Sequence, residues 1–181
     1  PNSRDRYYLM KYDVATGLSE RLTYGSHNVY LNDISPDGKK LLCSTSKPDI
    51  TRCPFSLSSL FEIDLTTLQA DTLVAWDAYL GSASYSPDGK QLLVTGSPSA
   101  FGGIGKNCGE HPIANDFDTQ AFIMDLATKK VQAITRDFNP TVSPVQWNRV
   151  DGCIYFDTTD GDCRHIYRYV PKTGGFEMLP L

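Results

Sequence analysis

The sequence predicts an all-β protein, a partial β-propeller of about three and a half four-stranded antiparallel blades, and three observations carry that prediction. The phrase Ser35-Pro36-Asp37-Gly38-Lys39 returns as Ser86-Pro87-Asp88-Gly89-Lys90, 51 residues later. An alternating strand ending on an acid recurs as Met10-Lys11-Tyr12-Asp13, Phe61-Glu62-Ile63-Asp64 and Phe122-Ile123-Met124-Asp125, and Asp13 stands 22 residues before Ser35 just as Asp64 stands 22 before Ser86. No window of about eleven residues repeats apolar positions at helical spacing without a Gly or Pro interruption, which excludes long helices and helical solenoids.

Taken in order, the chain reads as strands at roughly 7–14, 18–24, 30–35, 40–45, 60–65, 70–75, 81–86, 91–96, 120–126, 130–135, 143–148, 153–158, 164–170 and 175–180. The Ser-Pro-Asp-Gly phrases lie between apolar runs and read as hairpin turns. Ala15-Thr16-Gly17, Thr66-Thr67-Leu68 and Ala127-Thr128-Lys129 mark a second set of hairpins, each leading to an apolar position at Leu22, Leu73 or Ile134. The last unit has drifted. Ile166-Tyr167-Arg168-Tyr169-Val170 lacks the acid, and Trp147-Asn148-Arg149-Val150-Asp151-Gly152 reads as a first turn two residues longer that keeps its Asp-Gly. The expected division is 1–28 for the outer strands of one blade, then blades at 29–79, 80–140 and 141–181. Three and a half blades do not close a ring, and the chain begins at Pro1 in what reads as mid-fold, so it is expected to be an excerpt of a larger propeller.

A length of 181 residues with 40% hydrophobic and 11% aromatic content is enough to bury a core. The net charge of −4 and the lack of any Lys/Arg run argue against a nucleic-acid surface, and no apolar stretch approaches a membrane span. The five cysteines, Cys43, Cys53, Cys108, Cys153 and Cys163, are odd in number and show no Cys-x-x-Cys spacing, so buried free thiols are expected. A Cys43–Cys53 disulfide across the intervening insert is the alternative. A two-residue loop at Asp160-Gly161 would set Cys163 opposite Thr158 and away from Cys153.

Blades bury their faces against one another, so differences between repeats concentrate in loops and mark the functional rim. The link from second to third strand is short in the last blade, Thr159-Asp160-Gly161-Asp162, but spans 46–59 in the first full blade and about 97–119 in the second. Both inserts leave the same connection and must rise from one rim. The larger holds Gly102-Gly103-Ile104-Gly105-Lys106, yet Asn107 follows where a P-loop requires Ser or Thr and a helix, so a surface loop is expected. Cys108 and His111 would be half a metal site without a second pair, and Asp157, Asp160 and Asp162 around Gly161 miss the EF-hand order, which leaves a polar turn. His27, His111 and His165 fall on unrelated segments, and Gly-x-Ser-x-Gly does not occur. No residue is assigned as catalytic, cofactor-binding or metal-ligating, and no cofactor is expected.

The segments Arg21-Leu22-Thr23-Tyr24-Gly25-Ser26-His27, Asn32-Asp33-Ile34-Ser35-Pro36-Asp37-Gly38 and Ile134-Thr135-Arg136-Asp137-Phe138-Asn139-Pro140 resemble the propeller of prolyl oligopeptidase family serine peptidases, in particular the dipeptidyl peptidase IV branch. The run from Phe101 through Pro140, joined to Trp147-Asn148-Arg149, is the more specific part, because TolB-type propellers and some propeller lyases share the Ser-Pro-Asp-Gly turn. The resemblance implies a noncatalytic segment of a serine exopeptidase. Its propeller would restrict access and position peptides over an α/β-hydrolase domain that carries the Ser, Asp and His and is absent from this chain. It also implies a periplasmic or secreted parent. One feature departs from the branch: its members hold the substrate amine with two neighbouring glutamates, and Glu20, Glu62, Glu110 and Glu177 are nowhere adjacent. A TolB-like protein-binding propeller without peptidase activity is the alternative, and a lyase with histidines converging on a channel metal is a third. An arc of blades with open faces is expected to self-associate.

Overall fold

The computed structural model describes residues 5–106, 108 and 118–180. Fourteen strands are present among them: β1 (Met10–Tyr12), β2 (Ser19–Arg21), β3 (Val29–Ile34), β4 (Lys40–Pro48), β5 (Ser56–Asp64), β6 (Ala70–Asp77), β7 (Leu80–Tyr85), β8 (Gln91–Gly96), β9 (Gln120–Asp125), β10 (Val131–Ala133), β11 (Thr141–Trp147), β12 (Ile154–Asp160), β13 (Cys163–Val170) and β14 (Gly175–Met178). The one helical piece is a single turn, Ala100–Gly103. Strands β3–β6, β7–β10 and β11–β14 each form an antiparallel four-stranded sheet in sequence order, and β1–β2 form a ribbon. We call the three sheets blades 1, 2 and 3.

The apolar runs within second and third strands of blades 1 and 2 are continuous because both faces of these two blades are covered, so alternate residues serve different cores. Leu41 and Cys43 point toward the ribbon, where they meet Val29 and Ile63 with Leu9 and Leu22 at the edge. Leu42, between them, enters the core of blades 1 and 2 with Leu60, Tyr85, Leu92, Val94, Phe122 and Met124. Leu93, Ala121 and Ile123 face the other way and pack on Trp147, Ile154, Phe156 and Tyr169 of blade 3. Three interfaces of this kind replace one central core. Truncating a fully buried member such as Leu42 to Ala costs about 2–5 kcal/mol.

The repeated phrase builds the same turn twice. Ser35 Oγ donates to Asp37 Oδ1 at 2.7 Å and accepts from Lys40 N at 2.9 Å, and Ser86 does the same with Asp88 and Gln91 at identical distances. Each Ser N–H closes the hairpin on a carbonyl five residues on, Ser35 to Lys40 and Ser86 to Gln91. The turn of blade 3 was expected to be two residues longer, but Asn148 N bonds Cys153 O across the same interval. Only the glycine has slipped by one position: Gly152 N returns to Asn148 O four residues back, where Gly38 N returns to Ser35 O three back. Trp147 Nε1 bonds Gly152 O at 3.0 Å and braces this variant.

In the second hairpin family the acid caps the turn. Asp13 Oδ1 accepts Thr16 N, Asp64 Oδ1 accepts Thr66 N and Thr67 N, and Asp125 Oδ1 accepts Thr128 N, all at 2.8 Å. Gly17, Leu68, Lys129 and Gly174 occupy one equivalent left-handed position, with φ between 57° and 73°. In blade 3, where the acid is lost, the Gly174 N to Val170 O bond at 2.9 Å keeps the turn.

The expected insert at 46–59 is shorter than the sequence indicates. The β4–β5 ladder continues to Pro48 opposite Ser56 and leaves a loop of 49–55. Ser46, Ser58 and Ser59 read as loop by composition, yet cross-strand pairing at the rim holds them extended. The Cys43–Cys53 bridge does not form: Cys43 lies in the buried part of β4, Cys53 is exposed, and all five cysteines are free. Cys163 pairs with Asp160, not Thr158, because the loop is Gly161-Asp162.

Candidate functional site

Antiparallel order sends alternate turns to opposite rims. The Ser-Asp and Asp-Thr turns share one rim. The second-to-third strand links and the crossings between blades share the other, so both inserts rise from a single rim as their spacing required. A cleft of about 470 Å³ opens there between blades 1 and 2. Arg52 comes from the first insert, Trp76 and Asp77 from the end of β6, and Phe101 and Cys108 from the second insert.

Asp77 holds the cleft together. Its Oδ1 accepts Tyr79 N at 2.8 Å and its Oδ2 accepts Phe101 N at 2.7 Å, which ties the blade crossing to the insert. Phe101 packs edge-on against Phe122 of the core, with ring centroids 5.2 Å apart. Trp76 N donates to Ser59 Oγ at 2.9 Å, while its ring lies beneath Lys47 Nζ, 4.0 Å from the centroid, with His27 at 5.9 Å. Arg52 and Lys47, with the rings of Trp76, Tyr79 and Phe101, thus line or flank a cleft whose carboxylate is already engaged by backbone N–H groups.

Among the described residues, four non-glycine residues have positive φ. Leu68 and Lys129 sit at the repeated turn position, whereas Trp76 (φ 50°) and Phe101 (φ 55°) both line this cleft. A left-handed residue with a Cβ costs about 1–2 kcal/mol, and such strain concentrates at functional sites. Sequence reading found the inserts but not Trp76, because nothing in Ala75-Trp76-Asp77 signals a left-handed tryptophan.

The residues singled out from the sequence fall as follows. Lys106 Nζ bonds Asn139 O at 3.3 Å and Asn139 Oδ1 at 3.0 Å, and Lys106 N bonds Gln120 Oε1 at 2.9 Å. It anchors the root of the insert to the next crossing. Gly105 is required there because a Cβ would lie 2.5 Å from Pro98 Cα. Cys108 Sγ is 3.8 Å from Ser99 Oγ, and His111 lies outside the described residues. His27 is on the crossing before β3 and His165 on β13. Asp157 pairs with Arg164, while Asp160 and Asp162 stand at the hairpin end. No cluster of three or more His, Cys, Asp or Glu suited to a metal occurs among the described residues. None of the described helices is long and apolar enough to cross a membrane.

No family model matches the chain, and no curated protein matches it in sequence. Solved structures do. TolB from Acinetobacter baumannii superposes with a TM-score of 0.63 at 21% identity, over 96% of this chain and 37% of that one. An oligogalacturonate lyase from Vibrio parahaemolyticus gives 0.69 at 18% identity, over 97% and 48%. The acylaminoacyl peptidase of Pyrococcus horikoshii gives 0.61 at 18% identity, over 96% and 28%. The fold is a partial β-propeller. At these identities the likeness is one of fold, and the chain spans less than half the length of each of these three neighbours.

Proposed function

We propose that this chain is a noncatalytic propeller segment of a serine exopeptidase, of the dipeptidyl or acylaminoacyl peptidase type, which restricts access and positions peptide substrate over an α/β-hydrolase domain. The observation that carries the reading is the cleft on the insert rim. There the irregular second-to-third-strand links of blades 1 and 2 converge, and backbone strain is placed on Trp76 and Phe101. Rings and cations held at one edge of a rigid scaffold suit an extended peptide, with aromatic faces for side chains and Arg52 for an acidic group. The likeness to an acylaminoacyl peptidase supports the same reading. A periplasmic or secreted parent fits this role.

The test uses the full-length protein. A fluorophosphonate probe should label it, it should hydrolyse aminoacyl or dipeptidyl arylamides, and Trp76→Ala should raise KM on the order of tenfold with little change in kcat. Absence of both labelling and hydrolysis sinks the reading. It would favour a TolB-like binding propeller, for which the likeness to TolB speaks.

A further inference from the structure

We propose that the axial pocket between the first strands of the three blades binds a carboxylate, with Arg149 and Asn32 as its principal donors. Counting back from the turn residues Ser35, Ser86 and Asn148 places Asp33, Ser84 and Gln146 at one equivalent level on β3, β7 and β11. All three line a cavity of about 260 Å³, and Arg149 reaches into it from the turn of blade 3. These residues occupy the strand ends next to the Ser-Asp turns, so the cavity opens on the rim opposite the cleft and stands independently of the function proposed above.

The balance of donors and acceptors selects the ligand. Asp33 is the pocket's anion, and both its oxygens are engaged: Oδ1 accepts Ile34 N at 2.8 Å and Oδ2 accepts Tyr85 N at 2.9 Å. Arg149 approaches Asp33 Oδ1 only to 3.7 Å, and its guanidinium makes no hydrogen bond to the described residues, which leaves most of a five-donor fork open. Among the described residues Asn32 Nδ2 is buried without a partner, an uncompensated cost that an acceptor in the pocket would remove. The Ser84 hydroxyl and Gln146 amide are likewise uncommitted to other described residues. Donors therefore exceed acceptors. A cation would meet Arg149 with no free carboxylate to balance it. A doubly charged anion would be set against Asp33 with one arginine to compensate. A planar monoanion with two oxygens matches the fork.

The carboxylate could be a chain terminus or an acidic side chain, and the probes separate these. The 181-residue protein is titrated by calorimetry and by backbone NMR shifts with acetyl-Ala-Ala, its C-terminal amide, acetyl-Asp-amide and inorganic phosphate. The expected result is that at least one carboxylate probe binds tenfold or more tightly than acetyl-Ala-Ala-amide, with shifts centred on Asn32, Asp33, Ser84 and Gln146. Arg149→Gln should weaken it at least tenfold, and Asn32→Ala severalfold. Lys11→Gln, on the ribbon, should leave it unchanged. Binding of acetyl-Ala-Ala alone identifies a chain end, and binding of acetyl-Asp-amide alone identifies a side chain. The proposal is overturned if the amide binds equally, if phosphate binds more tightly than either carboxylate, if Arg149→Gln binds like the parent while circular dichroism shows it folded, or if neither carboxylate saturates.

Discussion

Tyr85 Oη donates a 2.7 Å hydrogen bond to Glu62 Oε1 across the interface of blades 1 and 2, and both residues are buried. Glu62 Oε2 also accepts Lys40 Nζ at 2.9 Å, so the carboxylate has a partner for each oxygen. This charge is retained in an apolar interface because two strands, β4 of blade 1 and β7 of blade 2, supply its partners at once. Removing the phenol leaves one buried oxygen short. Tyr85→Phe should therefore cost about 1.5–3 kcal/mol, the usual range for a hydrogen bond to a charged group. Urea unfolding checks this, and an unchanged midpoint would show the bond to be dispensable.

The same interfaces predict alkaline sensitivity. Burial pushes the Cys43 thiol up to about 12, and burial together with the Glu62 carboxylate raises the Tyr85 phenol above its ordinary range. Both groups are neutral when protonated, and folding holds the proton more tightly than the unfolded chain does. Their contribution is complete below pH about 9 and is lost as pH climbs toward 12, with a slope of up to about 1.4 kcal/mol per pH unit per group. Cys43→Val should flatten that limb in denaturation curves taken from pH 8 to 11. At pH 8 a thiol reagent should modify Cys53 and Cys163 while sparing Cys43.

The turn carboxylates act at the other end of the scale. The Ser86 hydroxyl, the Lys90 N–H and the Lys90 charge lower the Asp88 carboxyl, and Asp37 is lowered in the same way by Ser35 and Lys39. A lowered carboxyl supports the fold above its unfolded value near 4, and that support disappears as pH falls through the lower folded value. Asp88→Asn should make stability less steep below pH 4. Ser86→Ala leaves Gln91 N without its partner in a half-buried site and should cost about 1–2 kcal/mol, seen as a drop in Tm.

These turns also explain how much of the molecule was legible. Ser-Pro-Asp-Gly and the capping Asp are local chemistry, each closing its own hairpin, and so the strand order and the repeat could be read before any contact was known. The cleft was half legible: unequal repeats exposed its inserts, but the cation above Trp76 and the Asp77 bridge to Phe101 join residues distant in sequence. Asp33, Tyr85 and Arg149 were invisible as a group for the same reason. The ladder beyond Thr45 was missed because serines carry no strand signal until a partner strand pairs with them.

The left-handed turn position gives a stabilising change. Leu68 (φ 57°) and Lys129 (φ 58°) stand where Gly17 and Gly174 stand in the equivalent turns. Leu68 is half exposed, so its side chain contributes little packing. Leu68→Gly relieves about 1–2 kcal/mol of strain but adds freedom to the unfolded chain, for a net gain of up to about 1 kcal/mol. Gly174→Ala should lose about 1 kcal/mol by the reverse argument. Thermal unfolding of the two variants should shift in opposite directions.

The ribbon predicts association. Strands β5, β9 and β13, each the third of its blade, pair on both sides. Strand β1 leads into Asp13 as β5 leads into Asp64, which makes it the equivalent third strand, yet among the described residues it pairs with β2 alone. Its Met10 and Tyr12 are 54% and 62% exposed, and the open edge combines apolar side chains with backbone groups ready to pair. At tens of micromolar the 181-residue protein should self-associate, with mass from light scattering rising with concentration. Lysines at Met10 and Tyr12 should restore a monomer, because charge on an exposed edge blocks strand addition while the three blade interfaces stay intact. A clean monomer in the unsubstituted protein would mean that the ribbon edge is closed by other contacts.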